Sequence, residues 1–360
     1  MKNAIYYAKK SCDTMMRKFD APDLPPKGKF HYHQGVFLSG MMNTYKVCGE
    51  EKYYDYIKKW VDSIIYPDGS IHEFDRNMLD DIQPSILLFD LYERTKDERY
   101  KTALETMMSV LRDWHCNPIG GFWHKEYNKN EMWLDGLYMA GPLEAQYSVT
   151  FGDMSFINTA VEQIIIMRDH MQDKETKLLY HAWDYYKQLG WADKDTGLAP
   201  EFWGRALGWY VVAILDILEF LPKDHPKRSE IISIELEVLD AIAKYRDEKT
   251  GMWYQVVDKG NCEGNWVESS CTCLFSYAMA KAVRMGLTDD KKFVDMAIDG
   301  FNGVIENSVE EKGDDLLIGG VCIGTGVCSY EGYIARPTSI NDLHGVGAFL
   351  LMCAEIAKHQ

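Results

Sequence analysis

The chain has 360 residues, 46% of them hydrophobic and 26% charged, with a formal net charge of −16. That composition supports a large core and excludes a disordered chain. The acidic balance argues against a nucleic-acid groove or an anionic membrane surface as partner. Ten Trp and 22 Tyr can fill a core or line a site for flat sugar rings. Nine scattered cysteines with no C-x-x-C pair point to reduced thiols, with neither disulfides nor a metal site. The opening MKNAIYYAKKSCDTMMRKFD patterns as an amphipathic helix without an apolar signal core. No stretch reaches the roughly 18 apolar residues of a membrane span, so a cytoplasmic location is expected.

Taken in chain order, one device recurs. A nearly apolar helix follows a few polar residues; an acidic turn leads to an amphipathic helix; a Gly-plus-aromatic turn closes the unit. The first copy runs from HYHQGVFLSGMMNTYKV through CGEEKYYDYIKKW to PDGSIHEF. The second runs from DDIQPSILLFDLYERT through KDERYKTALETMMSVL to IGGFWHKE, the third from MWLDGLYMAGPLEAQY through FGDMSFINTAVEQIIIM to KLLYHAWD. The fourth opens at GRALGWYVVAILDILEFL and the fifth at ESSCTCLFSYAMAKAV. The sixth, NDLHGVGAFLLMCAEIAKH at the C-terminus, takes the N-terminal helix as its partner.

A helix apolar all round is buried on both sides, whereas a Lys/Glu-rich amphipathic one faces water. Two concentric rings of six helices satisfy this pattern: an all-α (α/α)6 toroid, expected as one domain over 1–360. An open solenoid is the rival. In the toroid the polar residues before the apolar helices and those of the Gly/aromatic turns converge on one mouth. They include His31, His33, Gln34, Asp80, Asp81, His124, Lys125, Asp135, His181, Arg205, Glu268, Ser269, Asn341, Asp342 and His344. Trp123, Trp133, Trp183, Trp203, Trp209, Trp253 and Trp266 gather at the same end. Acids among aromatic walls describe a carbohydrate cleft.

Asp135 stands out because its sequence neighbours, Met132, Trp133, Leu134, Leu137, Tyr138 and Met139, are apolar. It can cap its helix, and an apolar setting would raise its pKa and let it hold a proton near neutrality. Asp80 and Asp81 occupy the equivalent point of the preceding unit, so one of them should face Asp135. His124 and His181 recur at matching places in successive units, whereas His115, His170 and His225 are expected as core groups. Arg205, between Trp203 and Trp209, suits an anionic substituent on a stacked ring. In GGVCIGTGVCSYEGY, Thr325 lies in a Gly-rich loop able to present backbone N–H groups to a carboxylate.

GGFWHKE, MWLDGLYMAGP, LLYHAWD, WGRALGWY, GMWYQV, VESS, GVCIGTGV and NDLHGVGAFLL together resemble the unsaturated rhamnogalacturonyl hydrolases, relatives of the unsaturated glucuronyl hydrolases. The resemblance runs from about residue 30 to the end. It implies the (α/α)6 fold, no metal or cofactor, and substrates left by polysaccharide lyases, with a 4,5-unsaturated uronic acid at the non-reducing end. It implies that Asp135 is the general acid/base and that Asp80, rather than Asp81, assists. The family's pocket maps to His124, Lys125, His181, Trp203, Arg205 and Trp209, and Thr325 and His344 are added as substrate contacts. FHYHQG, with His33, and the CTC at 271–273 depart from the family pattern. The expected reaction releases unsaturated galacturonic acid from rhamnogalacturonan oligosaccharides in pectin degradation by hydrating the C4=C5 enol ether, in a monomer or weak homo-oligomer. Alternatives left open are an unsaturated glucuronyl hydrolase, a sugar 2-epimerase working through His124, His181 and His344, and a non-catalytic helical scaffold.

Overall fold

The computed structural model describes residues 2–127 and 129–360. In chain order the helices are α1 (Ala4–Lys18), α2 (Tyr32–Cys48), α3 (Glu51–Ile64), α4 (Leu87–Thr95), α5 (Glu98–Arg112), α6 (Asp135–Phe151) and α7 (Ser155–Met171). They continue as α8 (Gly204–Phe220), α9 (Arg228–Ala243), α10 (Ser269–Arg284), α11 (Lys291–Ser308), the short α12 (Tyr330–Ile334) and α13 (Leu343–Ala357). Helices α2, α4, α6, α8, α10 and α13 form the inner ring; α3, α5, α7, α9, α11 and α1 form the outer one. The fold is the (α/α)6 toroid.

Hydropathy decides which ring a helix joins. Every residue of α13 from Leu343 to Ile356 is buried, as a helix flanked on both sides requires. In α3 the buried residues are Tyr53, Tyr54, Tyr56, Ile57, Trp60, Val61 and Ile64, while Glu51, Lys52, Asp55, Lys59, Asp62 and Ser63 meet solvent. The ring closes where α13 packs on α2, with α1 behind α13; the Ala4 amide donates to the Gln360 side chain at 3.0 Å. Glycine makes that closure possible. A Cβ on Gly347 would lie 2.5 Å from the backbone carbonyl of Val36, and one on Gly40 would lie 2.7 Å from the carbonyl oxygen of Gly347.

The second inner helix departs from expectation. DDIQPSI forms two 3₁₀ turns, Leu79–Asp81 and Gln83–Ile86, and the α-helix begins only at Leu87. Pro84 has no N–H to give a regular first turn, so Asp80 is presented from a tight turn. Two further elements were not legible as helices: β1 (Glu131–Trp133) and β2 (Ala182–Asp184) pair antiparallel, with Trp133 opposite Ala182. They belong to a belt of short bridges around one mouth, including Met78 with Lys125, Trp183 with Leu198, Trp203 with Val256 and Tyr254 with Val267. The Gly/aromatic turns are the strands of this belt. All nine cysteines are free, and among the described residues no helix is long and apolar enough to cross a membrane.

The glycine closure is directly testable. Gly347→Ala places a methyl against backbone that cannot move aside, and overpacking of this kind costs about 1–3 kcal/mol. Urea unfolding should show a lower midpoint with an unchanged m-value; an unaltered midpoint would mean that α2 and α13 are not held this closely.

Candidate active site

At the belted mouth lies a cavity of about 400 Å³, walled by Asp80, His124, Lys125, Trp133, Asp135, Trp203 and Arg205, with His31, Tyr32, His33, Met139 and the loop Gly324–Thr325–Gly326 completing it. A second concavity opens at the opposite end of the inner ring, but its charged groups are already paired, Lys281 with Asp216 and Glu219, and Arg284 with Glu355.

The belt places the polar groups. Asp135 is the first residue of α6, directly after β1, and the Leu134 amide donates to the His181 carbonyl at 3.1 Å. His181 immediately precedes β2, so the strand register sets its ring beside the Asp135 carboxylate. Asp135 Oδ2 and His181 Nε2 are 3.4 Å apart, longer than a formed hydrogen bond. On the far side of the ring, His181 Nδ1 is 2.6 Å from the Tyr333 hydroxyl. With that hydroxyl as donor, the imidazole carries its proton on Nε2, facing Asp135. Both His181 and Tyr333 are fully buried.

Asp80 reaches the same cavity by the same device. The Leu79 amide donates to the His124 carbonyl at 3.2 Å, and the His124 amide to the Glu131 carbonyl at 2.8 Å. Asp80 Oδ1 then lies 3.2 Å from His124 Nε2, and Oδ2 lies 3.0 Å from Lys125 Nζ. His124 stacks on Trp133, with centroids 4.4 Å apart and planes 12° apart. Trp133 donates from Nε1 to Glu131 at 2.7 Å.

These partners overturn one expectation. Burial pushes the Asp135 carboxyl up, as its sequence neighbours suggest, but His181, His124 and Arg205 outweigh burial and hold it below the usual carboxylate value. In the free enzyme Asp135 is therefore ionised. Burial likewise raises Asp80, and His124, Lys125 and His31 hold it well below the carboxylate range. Asp81 points away: burial and the neighbouring Asp80 raise it to about 7, and only the Asp75 amide, at 3.3 Å, donates to it. Burial lowers His181 despite Asp135, so its ring is neutral.

Arg205, the second residue of α8, lays its guanidinium over Trp203 at 4.5 Å from the ring centroid. It donates to the carbonyls of Cys322 at 2.6 Å and Ile323 at 2.8 Å. Among the described residues no carboxylate pairs with it, so its charge is available to an anion. Trp203 is held by Gln255 at 3.2 Å. Thr325 lines the cavity and donates to the Ile323 carbonyl at 2.8 Å. His344 lies behind the wall, with Nε2 3.0 Å from the Cys322 carbonyl.

Trp209 is a correction. It stacks on Tyr138 at 4.4 Å within the core and does not wall the cavity. It lies one helical turn beyond Arg205, about 6 Å deeper in the barrel. Gln34 and Glu268 are structural: Gln34 holds the Leu24 and Pro26 carbonyls and helps cap α2, and Glu268 caps α10. His115 and His170 are exposed and His225 is half-buried, so none of them is a core group. Tyr333 was not foreseen. It lies 152 residues from His181, on the short helix α12, with no spacing that announces the contact.

The model of Glycosyl Hydrolase Family 88 matches residues 7–360. An unsaturated rhamnogalacturonyl hydrolase of Bacillus subtilis (strain 168), YesR, is 25% identical over 334 residues, 90% of this chain and 88% of its own length. A glycoside hydrolase from family 105 of C. acetobutylicum ATCC 824 is 32% identical and superposes with a TM-score of 0.93, covering 98% of this chain and 99% of its own. An unsaturated glucuronyl hydrolase from Bacillus sp. GL1 shares the fold at 15% identity, with a TM-score of 0.74 over 98% of this chain and 95% of its own. Matched by the family model from residue 7 to its last residue, the chain belongs to glycosyl hydrolase family 88 and is a glycosidase.

Proposed function

We propose that the enzyme releases a 4,5-unsaturated uronic acid from the non-reducing end of lyase-generated oligosaccharides, with rhamnogalacturonan disaccharide as its substrate. The observation that carries this reading is the pairing of one buried carboxylate, Asp135, beside the neutral His181–Tyr333 couple, with an arginine, Arg205, that forms no ion pair among the described residues. A uronate presents both a carboxylate for Arg205 and an electron-rich C=C for an acid. YesR, whose name carries the rhamnogalacturonyl activity, is matched over most of both chains; this favours that substrate over glucuronyl disaccharides.

The substrate ring is an enol ether. A proton delivered from Asp135 to C4 leaves a cation at C5 that the ring oxygen stabilises. Asp135, now a carboxylate, takes a proton from the water that adds at C5. The resulting hemiketal opens and expels the saccharide. Asp80 stays anionic between His124 and Lys125 and offsets the cation, while Trp133 and Trp203 supply faces for the sugar. His124, His181, Lys125, Arg205, Thr325 and, from behind the wall, His344 orient the substrate.

Asp135 is ionised in the free enzyme, so the acid form is gained on binding. A uronate brings negative charge beside Asp135, occupies Arg205 and displaces water; each change raises the carboxyl pKa. The sign for kinetics follows. A base-form Asp135 must gain a proton, so kcat/KM falls as pH rises above the acid range, while kcat, set in the loaded complex, holds to higher pH. A kcat/KM that stays level between pH 4 and 8 would contradict this.

The test of function follows the ultraviolet absorbance of the conjugated C=C–carboxylate. Wild type should abolish the absorbance of unsaturated galacturonyl-rhamnose faster than that of unsaturated glucuronyl disaccharides. Asp135→Asn should lose about 10²–10⁴-fold in kcat, the range for a proton-transfer group. No loss of absorbance with either substrate would remove the reading. Tyr333→Phe should lower kcat by about tenfold and move the fall of kcat/KM to higher pH, because an unfixed His181 holds Asp135 ionised less firmly. An unchanged pH profile would give Tyr333 a packing role only.

A further inference from the structure

One cluster at the cavity edge presents nitrogen and oxygen atoms that this reaction does not use. His33 is the second residue of α2, and Asp342 and His344 flank the start of α13, so the cluster spans the seam where the ring closes. His33 Nε2 lies 3.9 Å and His344 Nδ1 2.8 Å from Asp342 Oδ1, and one ligand atom from each of the three residues lies within 4.8 Å of the others. We propose that these three atoms form a binding site for a single divalent transition-metal ion at the edge of the catalytic cavity.

Three independent features point to a ligand there. His344 is fully buried, and its Nε2 faces the Cys322 carbonyl at 3.0 Å. A neutral ring places its proton on that nitrogen, so Nδ1 presents a bare lone pair. Nδ1 is 2.8 Å from Asp342 Oδ1 yet forms no well-directed hydrogen bond with it or with any other group. The lone pairs of a neutral imidazole and a carboxylate held this close repel each other unless a cation lies between them. Secondly, His33 Nε2 is buried without a hydrogen-bond partner and is 3.9 Å from the same carboxylate oxygen. Thirdly, Asp342 occupies the N-cap position of α13 but its side chain caps nothing, leaving the carboxylate free for another role.

The donor set selects the ion. Two imidazoles and one carboxylate suit zinc, cobalt or nickel and not calcium or magnesium. The positive surroundings select in the same direction. Arg205 and the N-termini of α2 and α13 oppose a hard cation held by charge alone, whereas coordinate bonds to nitrogen outlast that repulsion. The Cys322 carbonyl supplies the outer hydrogen bond that orients a ligating histidine. Because His33 lines the cavity, the open coordination position faces the space that the sugar fills.

The experiment reads binding directly and so stands apart from the hydrolase assay. The full chain, stripped with EDTA and freed of it, is titrated at pH 7.5 with Co²⁺, followed by visible absorption, and with Zn²⁺ and Mg²⁺, followed by calorimetry. One Co²⁺ or Zn²⁺ per chain and no Mg²⁺ is expected. His33→Gln, whose site is half-buried, and Asp342→Asn should each weaken Zn²⁺ binding by at least about tenfold, with circular dichroism confirming that both variants fold. His72→Gln, a surface control, should leave binding intact. No binding of Co²⁺ or Zn²⁺ to wild type up to about 1 mM would overturn the proposal and identify the cluster as a protonated His344–Asp342 ion pair. Binding that both variants leave unchanged would overturn it equally.

Discussion

A carboxylate removed from water must find a cation or enough hydrogen bonds, and the cavity end of this protein is organised around that requirement. Asp80 and Asp135 are both buried at the starts of neighbouring inner-ring segments. Each finds its partners at the far end of its own unit. Asp80 is met by His124 and Lys125, in the Gly/aromatic turn that closes its unit, and Asp135 by His181, in the turn that closes the next. Each repeat thus supplies both the acid that opens it and the groups that meet that acid at its close. The strength of these pairings separates the two acids. Asp80 is locked at 3.0–3.2 Å between two partners, whereas Asp135 stands 3.4 Å from one and is the acid whose protonation can respond to a ligand.

The toroid and the belt divide the labour. Inner helices, apolar on all sides, supply rigidity and bring six segment starts to one mouth. The belt of bridges fixes the short segments between them, so that His181 and Asp135 are placed by a strand register and not by side-chain packing alone. This explains why the polar groups can be buried and still ordered: their backbones are hydrogen-bonded to the neighbouring unit. Closure at Gly40 and Gly347 brings the last unit onto the first. It also brings His33 of the first inner helix beside Asp342 and His344 of the last.

Much of this was legible in the amino-acid sequence. The six hairpins could be read because an inner helix must be apolar all round, and the convergence of Asp80, His124, Lys125, Asp135 and Arg205 followed from their matching places in successive repeats. What failed were inferences from sequence neighbours. Asp135 sits among Met132, Leu134 and Leu137 in the chain, yet in space His181, His124 and Arg205 set its charge. Trp209 flanks Arg205 in the chain but lies a turn deeper, on Tyr138. Tyr333 could not be found at all, since its contact with His181 joins distant segments through a single helical turn outside the repeat pattern. The 3₁₀ start before α4 carried a signal in Pro84 that a helical pattern hid.

The claim on which the account rests is that Asp135 delivers its proton to a carbon of the substrate and not to the bridging oxygen. Turnover in D₂O, stopped early and read by NMR before slow exchange intervenes, tests this directly. The account predicts that the released sugar acid has lost its C=C and carries one deuterium at C4 in a single configuration, with no such product from Asp135→Asn. Release of a sugar that keeps its double bond and has no deuterium at C4 would contradict it, and would return the enzyme to protonation of the glycosidic oxygen.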